Sequence, residues 1–151
     1  MTKEKFTRNI LDCEEMLFRI SMSMLKNEKD CEDAVQTAIL TAYEKLSTLK
    51  NEEYFKTWLV RILINECNKQ LKVRQKTAQI QDDYPVVNLS QEDTEIRMLV
   101  ESLPLKIRQV IVLYYVEQFT TKEISLILKI PKGTVLSRLA KGRKLLKIEL
   151  S

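Results

Sequence analysis

The sequence predicts an all-α protein: two small helical domains joined by a flexible acidic linker, the second domain a helix-turn-helix. Three observations carry this. Glycine (2) and proline (3) are scarce while apolar residues make up 44% of 151, which favours helices over a turn-rich sheet. Apolar residues recur every three or four positions over most of the chain. Charge is also partitioned. Residues 1–75 hold thirteen Lys/Arg against twelve Asp/Glu, residues 76–100 hold two against five, and residues 101–151 hold ten against four. An acidic hinge between a balanced half and a basic half implies two modules with different partners.

Taken in order, Thr7–Leu25 reads as a first helix with Ile10, Leu11, Leu17, Phe18, Met22 and Leu25 as its apolar stripe. Met16, Met22 and Met24 read as core filler. Lys26-Asn-Glu-Lys29 is a polar turn. A second helix opens with Asp30-Cys-Glu-Asp33, acids placed where the positive end of the helix dipole favours them. Val35, Ala38, Ile39, Ala42 and Leu46 continue it at helical spacing, and Asp33 and Gln36 lie off that stripe, open to a partner. Lys50-Asn-Glu-Glu53 connects to a third helix starting at Tyr54-Phe55, with Phe55, Leu59, Ile62, Leu63, Cys67 and Leu71 turned inward. Arg61, Asn65, Lys69, Lys72, Arg74 and Lys76 lie largely elsewhere, with Glu66 the only acid. Trp58 sits on the core-facing stripe and reads as packing rather than as a platform for a base. Residues 1–76 form the first domain.

Residues 77–93 read as the linker: Pro85, Asn88-Leu-Ser90 and most of the local acid, with no sustained period. About 17 residues at about 3.4 Å each span up to about 58 Å when extended. The second domain is 94–151. A short helix is expected from about Glu92 to Ser102, and Pro104 opens the next, with Ile107, Val110, Ile111 and Tyr114 facing in. Thr120 and Glu123 have the spacing of a capping box. Ile124 and Leu128 share one face of the helix they open, and Ser125 is small enough for close approach. The helix ends at Lys129-Ile130, because a residue before proline is pushed out of the helical region, and Pro131 suits the first turn of the next helix. Val135, Leu139, Gly142 and Leu146 form that helix's inner face, while Lys132, Thr134, Ser137, Arg138, Lys141 and Lys144 occupy the other side.

From Lys129 to Lys147 there are seven Lys/Arg and no acid until Glu149. Such a helix, joined by a tight turn to a short capped one, suits a DNA major groove. Lys and Arg, Arg143 among them, neutralise phosphates, and Arg, Ser and Thr read base edges. The plain alternative is a solvated basic surface helix, and the capped partner helix and its turn weigh against it.

Several classes are excluded. No apolar run approaches the length of a membrane span, and Met-Thr-Lys-Glu-Lys-Phe lacks the apolar core of a signal peptide. Cys13, Cys31 and Cys67 are isolated and odd in number, there is no Cys-x-x-Cys, and histidine is absent. That speaks against zinc or any other metal, against a disulfide scaffold, and for a reducing cytoplasm. Without histidine the commonest general base is missing. No enzyme, cofactor or small-molecule substrate is expected.

Leu103-Pro104, Arg108, Leu113-Tyr-Tyr115, Lys122-Glu-Ile124, Leu128, Ile130-Pro131, Gly133-Thr-Val135, Ser137-Arg-Leu139 and Arg143 together resemble the carboxy-terminal domain of a bacterial sigma factor of the extracytoplasmic-function (ECF) group. Asp30-Cys-Glu-Asp-Ala-Val-Gln36 resembles the segment by which such factors grip the clamp helices of core RNA polymerase. Phe55-x-x-Trp58-Leu-x-Arg-Ile62-x-x-Asn65 resembles the segment that melts and reads the −10 element. The resemblance spans about Leu11–Leu146 in family order. It implies core polymerase contact through Asp30, Asp33 and Gln36, and −10 contact through Asn65, Lys69, Lys72 and Arg74. It implies −35 contact through Lys132, Thr134, Ser137, Arg138, Lys141, Arg143 and Lys144. It further implies an anti-sigma protein as partner, and a cytoplasmic chain held at the membrane, if at all, by that partner. The sequence departs from the family pattern at five places. The turn Lys26-Asn-Glu-Lys29 lacks a glycine the family usually has there, Gln118 stands where glycine is common, Lys69 where aspartate is usual, Leu136 where a basic residue is frequent, and Gly142 in place of alanine. Two alternatives stand beside this reading: a helix-turn-helix regulator acting without core polymerase, for which no spare dimerisation segment is visible, and a helical adaptor that binds polymerase but no promoter.

Overall fold

The computed structural model describes the backbone of residues 1–77 and 91–150 and the side chains of residues 1–76 and 95–147. Most of the expected linker, 77–93, therefore lies outside the described residues. Every element among the described residues is helical, and the chain divides into two compact units, Met1–Tyr84 and Pro85–Ser151.

In the first unit, α1 (Lys3–Leu25) begins earlier than the apolar stripe predicts, because Thr2 caps it: the Thr2 hydroxyl accepts from the Lys5 amide at 3.1 Å. Its buried line is Phe6, Ile10, Cys13, Leu17, Ile20 and Met24, spaced alternately four and three, with Met16 and Leu25 alongside. Leu11, expected inside, lies one residue off that line and is 61% exposed. The helix stops where Lys26 turns left-handed (φ 60) and returns its N–H to the Met22 carbonyl. Asn27 then caps α2 (Glu28–Glu44) by accepting from the Asp30 amide at 3.2 Å.

The face that α2 buries is Cys31, Ala34, Ala38 and Ala42, all small and all fully buried. Small residues let α2 lie close against α1 and α3, since interhelical distance follows side-chain size. Val35 and Ile39, expected in the core, are only half-buried beside this seam, as is Leu46. Two single turns, Leu46–Thr48 and Glu52–Tyr54, lead into α3 (Phe55–Thr77). Because α3 packs on both other helices, its buried strip is broad. Leu59 and Leu63 are joined by Val60, Ile64 and Cys67, while Ile62 and Leu71 lie half-buried at its margins. Phe6 meets Phe55 edge-on at 5.9 Å and Tyr43 at 5.5 Å, and the half-buried Trp58 ring rests against Phe55 at 5.9 Å. Packing is thus what Trp58 does here.

The second unit is built from α4 (Gln91–Glu101), α5 (Leu105–Ile111), α6 (Thr121–Leu128) and α7 (Lys132–Leu150). Beyond Ile111, Val112–Val116 widens to five-residue spacing, with Glu117 N–H reaching the Val112 carbonyl at 3.0 Å. The wider turn rotates Tyr114, expected inside, out to 37% exposure, edge-on to Tyr115. Gln118 then turns left-handed (φ 62), which brings Phe119 into the core with Ile107, Val110, Leu113, Ile124 and Ile127. Arg108 is 7% exposed and donates through Nη1 to the Glu101 carbonyl at 2.7 Å. It thus serves one of the orphan carbonyls at the end of α4. Burial holds its guanidinium below its ordinary pKa, partly offset by Glu101.

Candidate nucleic-acid interfaces

α6 and α7 meet through a turn that satisfies its own backbone. Glu123 N–H donates to the Thr120 hydroxyl at 3.1 Å and Thr120 N–H to the Glu123 carboxylate at 2.9 Å, the expected capping box. At the other end Lys129 is left-handed (φ 56). Ser125 ties the turn twice: its hydroxyl donates to the Ile130 carbonyl at 2.6 Å, and its carbonyl accepts from Ile130 N–H at 3.2 Å. Its small size therefore serves the turn rather than a neighbouring helix. Ile124 is buried together with Ile127, while Leu128, expected to share the face of Ile124, is half-buried.

On α7, Val135, Leu139 and Gly142 face inward. Lys132, Ser137, Lys141, Arg143 and Lys144 are exposed, and Thr134 and Arg138 are half-buried on one flank. By helical spacing Lys132 and Arg143 lie on the opposite flank, where Arg143 donates to the Tyr115 hydroxyl at 3.1 Å. The Ser137 hydroxyl donates to the Thr134 carbonyl at 3.1 Å, which leaves its lone pairs outward. With no acid between Lys129 and Lys147, every charge on the outer half of α7 is positive.

A second cationic strip runs along α3. Asn65, Lys69, Lys72 and Lys76 follow at intervals of four, three and four and are all exposed, so they share one face. Arg74 does not join them. It pairs instead with Asp30, across 44 residues of sequence, and both side chains are about a third exposed. Two residues expected at different interfaces, Asp30 and Arg74, thus hold each other and fasten the start of α2 to the last turns of α3.

The comparisons with known proteins bear on both strips. Residues 10–77 match the family model for Sigma-70 region 2, and residues 93–146 match that for Sigma-70, region 4. RNA polymerase sigma factor SigV of Bacillus subtilis is 30% identical over 156 residues, covering 99% of this chain and 93% of that protein. The chain belongs to the sigma-70 family. The ECF RNA polymerase sigma factor SigW of the same organism is 28% identical, covering 90% of this chain and 83% of its own. Among solved structures, the sigma factor RpoE in its complex with the anti-sigma factor NepR from Bartonella quintana superimposes with a TM-score of 0.88 at 22% identity. That match covers 97% of each chain and reports the fold. The protein is thus an RNA polymerase sigma factor of the ECF group, an initiation factor without catalytic chemistry of its own.

In this sigma factor the first unit has an open feature that periodicity misses. A cleft of about 620 Å³ lies between α1 and α2. Phe18, Val35 and Ile39 line it at half-burial, and Glu14, Glu15, Glu32 and Gln36 stand exposed around it. Gln36, expected at a partner surface, is on its edge; Asp33 is exposed one helical turn before. The signal for this cleft is the small-residue line Cys31-Ala34-Ala38-Ala42: once those positions take the seam, Val35 and Ile39 must lie beside it.

The departures from the family pattern also find physical places. Lys26, in the turn where the family has glycine, and Gln118 both occupy left-handed positions, a conformation glycine adopts without steric cost. Gly142 is buried, and a Cβ on it would lie 2.6 Å from Ile111 Cδ1 and 3.1 Å from Ile107 Cγ2, so it serves packing rather than base contact. Lys69 extends the α3 strip. No described helix is long and apolar enough to cross a membrane.

Proposed function

We propose that the two halves of this sigma factor divide promoter recognition between them. In this reading residues 1–76 bind core RNA polymerase through Asp33, Gln36 and the adjoining α1–α2 cleft, and read the −10 element with Asn65, Lys69 and Lys72 of α3. Residues 94–151 read the −35 element with Lys132, Thr134, Ser137, Arg138, Lys141, Arg143 and Lys144 of α7, while 77–93 spans the gap. Asp30 and Arg74 act by holding α2 and α3 in place rather than by touching a partner. The supporting observation is that each unit carries its own cationic helix face; an operator-binding regulator needs only one. The solved relative's complex with an anti-sigma factor supports a partner of that kind here too, and with it a cytoplasmic chain whose tethering at a membrane falls to the partner.

Run-off transcription with purified core polymerase on a genomic fragment library tests the reading. Discrete new start sites are expected with the protein and lost with Asp33→Ala plus Gln36→Ala. Arg138→Ala is expected to abolish promoter-specific starts, and Lys144→Ala to weaken DNA binding evenly with a shallower salt dependence. Polymerase binding without new starts would leave an adaptor, and specific DNA binding with no polymerase association would leave a simple regulator.

A further inference from the structure

One side chain breaks the cationic character of the outer surface of α7. Leu136 is 49% exposed. A single exposed leucine is ordinary on a protein surface; its surroundings give this one meaning. Its neighbours along the helix surface at i−3 and i+4 are Gly133 and Ala140, both exposed, and a Cβ on Gly133 would have nothing within 4 Å. The isobutyl group therefore stands clear between two small residues. Lys132 and Arg143 lie one and two turns away on the same side of the helix. From Lys129 to Lys147 no acid occurs. The charge around Leu136 favours one occupant, a polyanion, and the geometry of a helix-turn-helix places this surface against a duplex groove.

Within the major groove one base edge offers apolar surface, the C5-methyl of thymine; the others present hydrogen-bond donors and acceptors. A leucine against those polar edges would strip their water without replacing the hydrogen bonds. Against a methyl it loses nothing. We propose that Leu136 is a specificity-determining residue that selects thymine at one position of the upstream element by covering its methyl group. The proposal deepens the reading of α7 as the −35 helix and rests on it.

The test uses the full chain with core RNA polymerase, wild type and Leu136→Ala, on a randomised duplex library. In the enriched duplexes each thymine is then replaced singly by deoxyuridine, which removes only the methyl. One replacement in the upstream element is expected to weaken wild-type binding about fourfold, the worth of one buried methyl. Leu136→Ala should bind the thymine duplex weaker by a similar factor and be indifferent to that same replacement. Equal sensitivity in both proteins, or no sensitive thymine in the wild type, would overturn the proposal while leaving α7 as a DNA-reading helix. Failure of the wild type to enrich any upstream sequence would overturn that underlying reading and the proposal together. Alanine favours the helix more than leucine does, so loss of folding is not expected to confuse the result.

Discussion

α3 and α7 each present cations along one face, yet the chain holds them in opposite ways. α3 is the central helix of its unit, packed on both α1 and α2, and the strip from Asn65 to Lys76 stays exposed. What fixes it is remote in sequence: the Cys31-Ala34-Ala38-Ala42 seam and the Asp30–Arg74 pair. α7 fully buries only one narrow line, which packs on α5, where Gly142 lies against Ile107 and Ile111. What fixes its start is local: a capping box, a left-handed Lys129 and the doubly used Ser125, all within Thr120–Ile130. In the proposed division of labour a melted element would meet a rigid platform, and a duplex groove a helix that stands out from its support.

The largest expected difference between the units is chemical. All three thiols lie in the first unit, and all are buried. Burial pushes Cys67 from an ordinary 9.0 to about 12, and raises Cys13 and Cys31 as well. A folded-state pKa above the unfolded one contributes stability that is complete below the unfolded value and is lost as pH rises toward the folded one. Between pH 9 and about 12 the first unit should therefore lose about 1.4 kcal/mol per pH unit through Cys67, with Cys13 and Cys31 adding in the same direction. Urea unfolding followed by Trp58, the sole tryptophan, reports this unit; Cys67→Ala should flatten the alkaline slope by one proton. Amide exchange in α5–α7 should show no matching loss, and a parallel loss there would end the contrast.

Next in size is Gly142→Ala. The added methyl meets Ile111 inside the second unit, and overpacking costs about 1–3 kcal/mol, against about 1 kcal/mol gained in helix propensity. A net loss of about 1 kcal/mol is expected. Ile111→Val in the same chain removes Cδ1 but leaves Cγ1 at 2.7 Å from the added methyl, so it should recover only part of the loss, which a double-mutant cycle would measure. A smaller effect belongs to the ion pair. Asp30→Asn should cost about 0.5–1 kcal/mol, since the pair is partly solvated. Asp33→Asn, on the exposed side of the same helix, should leave the unfolding midpoint unchanged while impairing polymerase binding. Equal stability losses would mean that Asp33 is structural too.

This asymmetry also decides what could be read from the sequence. The Thr120/Glu123 box and Pro131 depend on neighbours within a few residues and the inner line Val135-Leu139-Gly142 on plain periodicity, so the helix-turn-helix was legible in outline, with Ile127, Leu128 and the role of Ser125 left to the structure. The first unit was legible as three helices but not in its facing. Leu11, Val35 and Ile39 look like core by period, and only knowing that the alanines form the seam moves them aside. Asp30 and Arg74 looked available to separate partners because nothing local hints at a contact across 44 residues. Tyr114 was misplaced for a third reason: a single widened turn shifts every later side chain around the helix, and no residue type announces it.

The smallest effect tests whether local devices in the two units are interchangeable. Gln118 and Lys26 each sit left-handed at a helix end without glycine. An L-residue there carries a steric cost of about 1 kcal/mol or more, and glycine removes it while adding about 0.5–1 kcal/mol of unfolded-state entropy. Gln118→Gly and Lys26→Gly should therefore each stabilise by about 0.5 kcal/mol or less, seen as a small rise in unfolding midpoint. The two sites differ in the residue that comes next. Gln118 aims the chain so that Phe119 enters the core, whereas Lys26 leads into Asn27, which caps α2. If glycine stabilises at 26 but not at 118, the glutamine is holding the approach to Phe119 and Thr120, and the turn that leads into α6 owes part of its shape to a residue the family pattern would not have placed there.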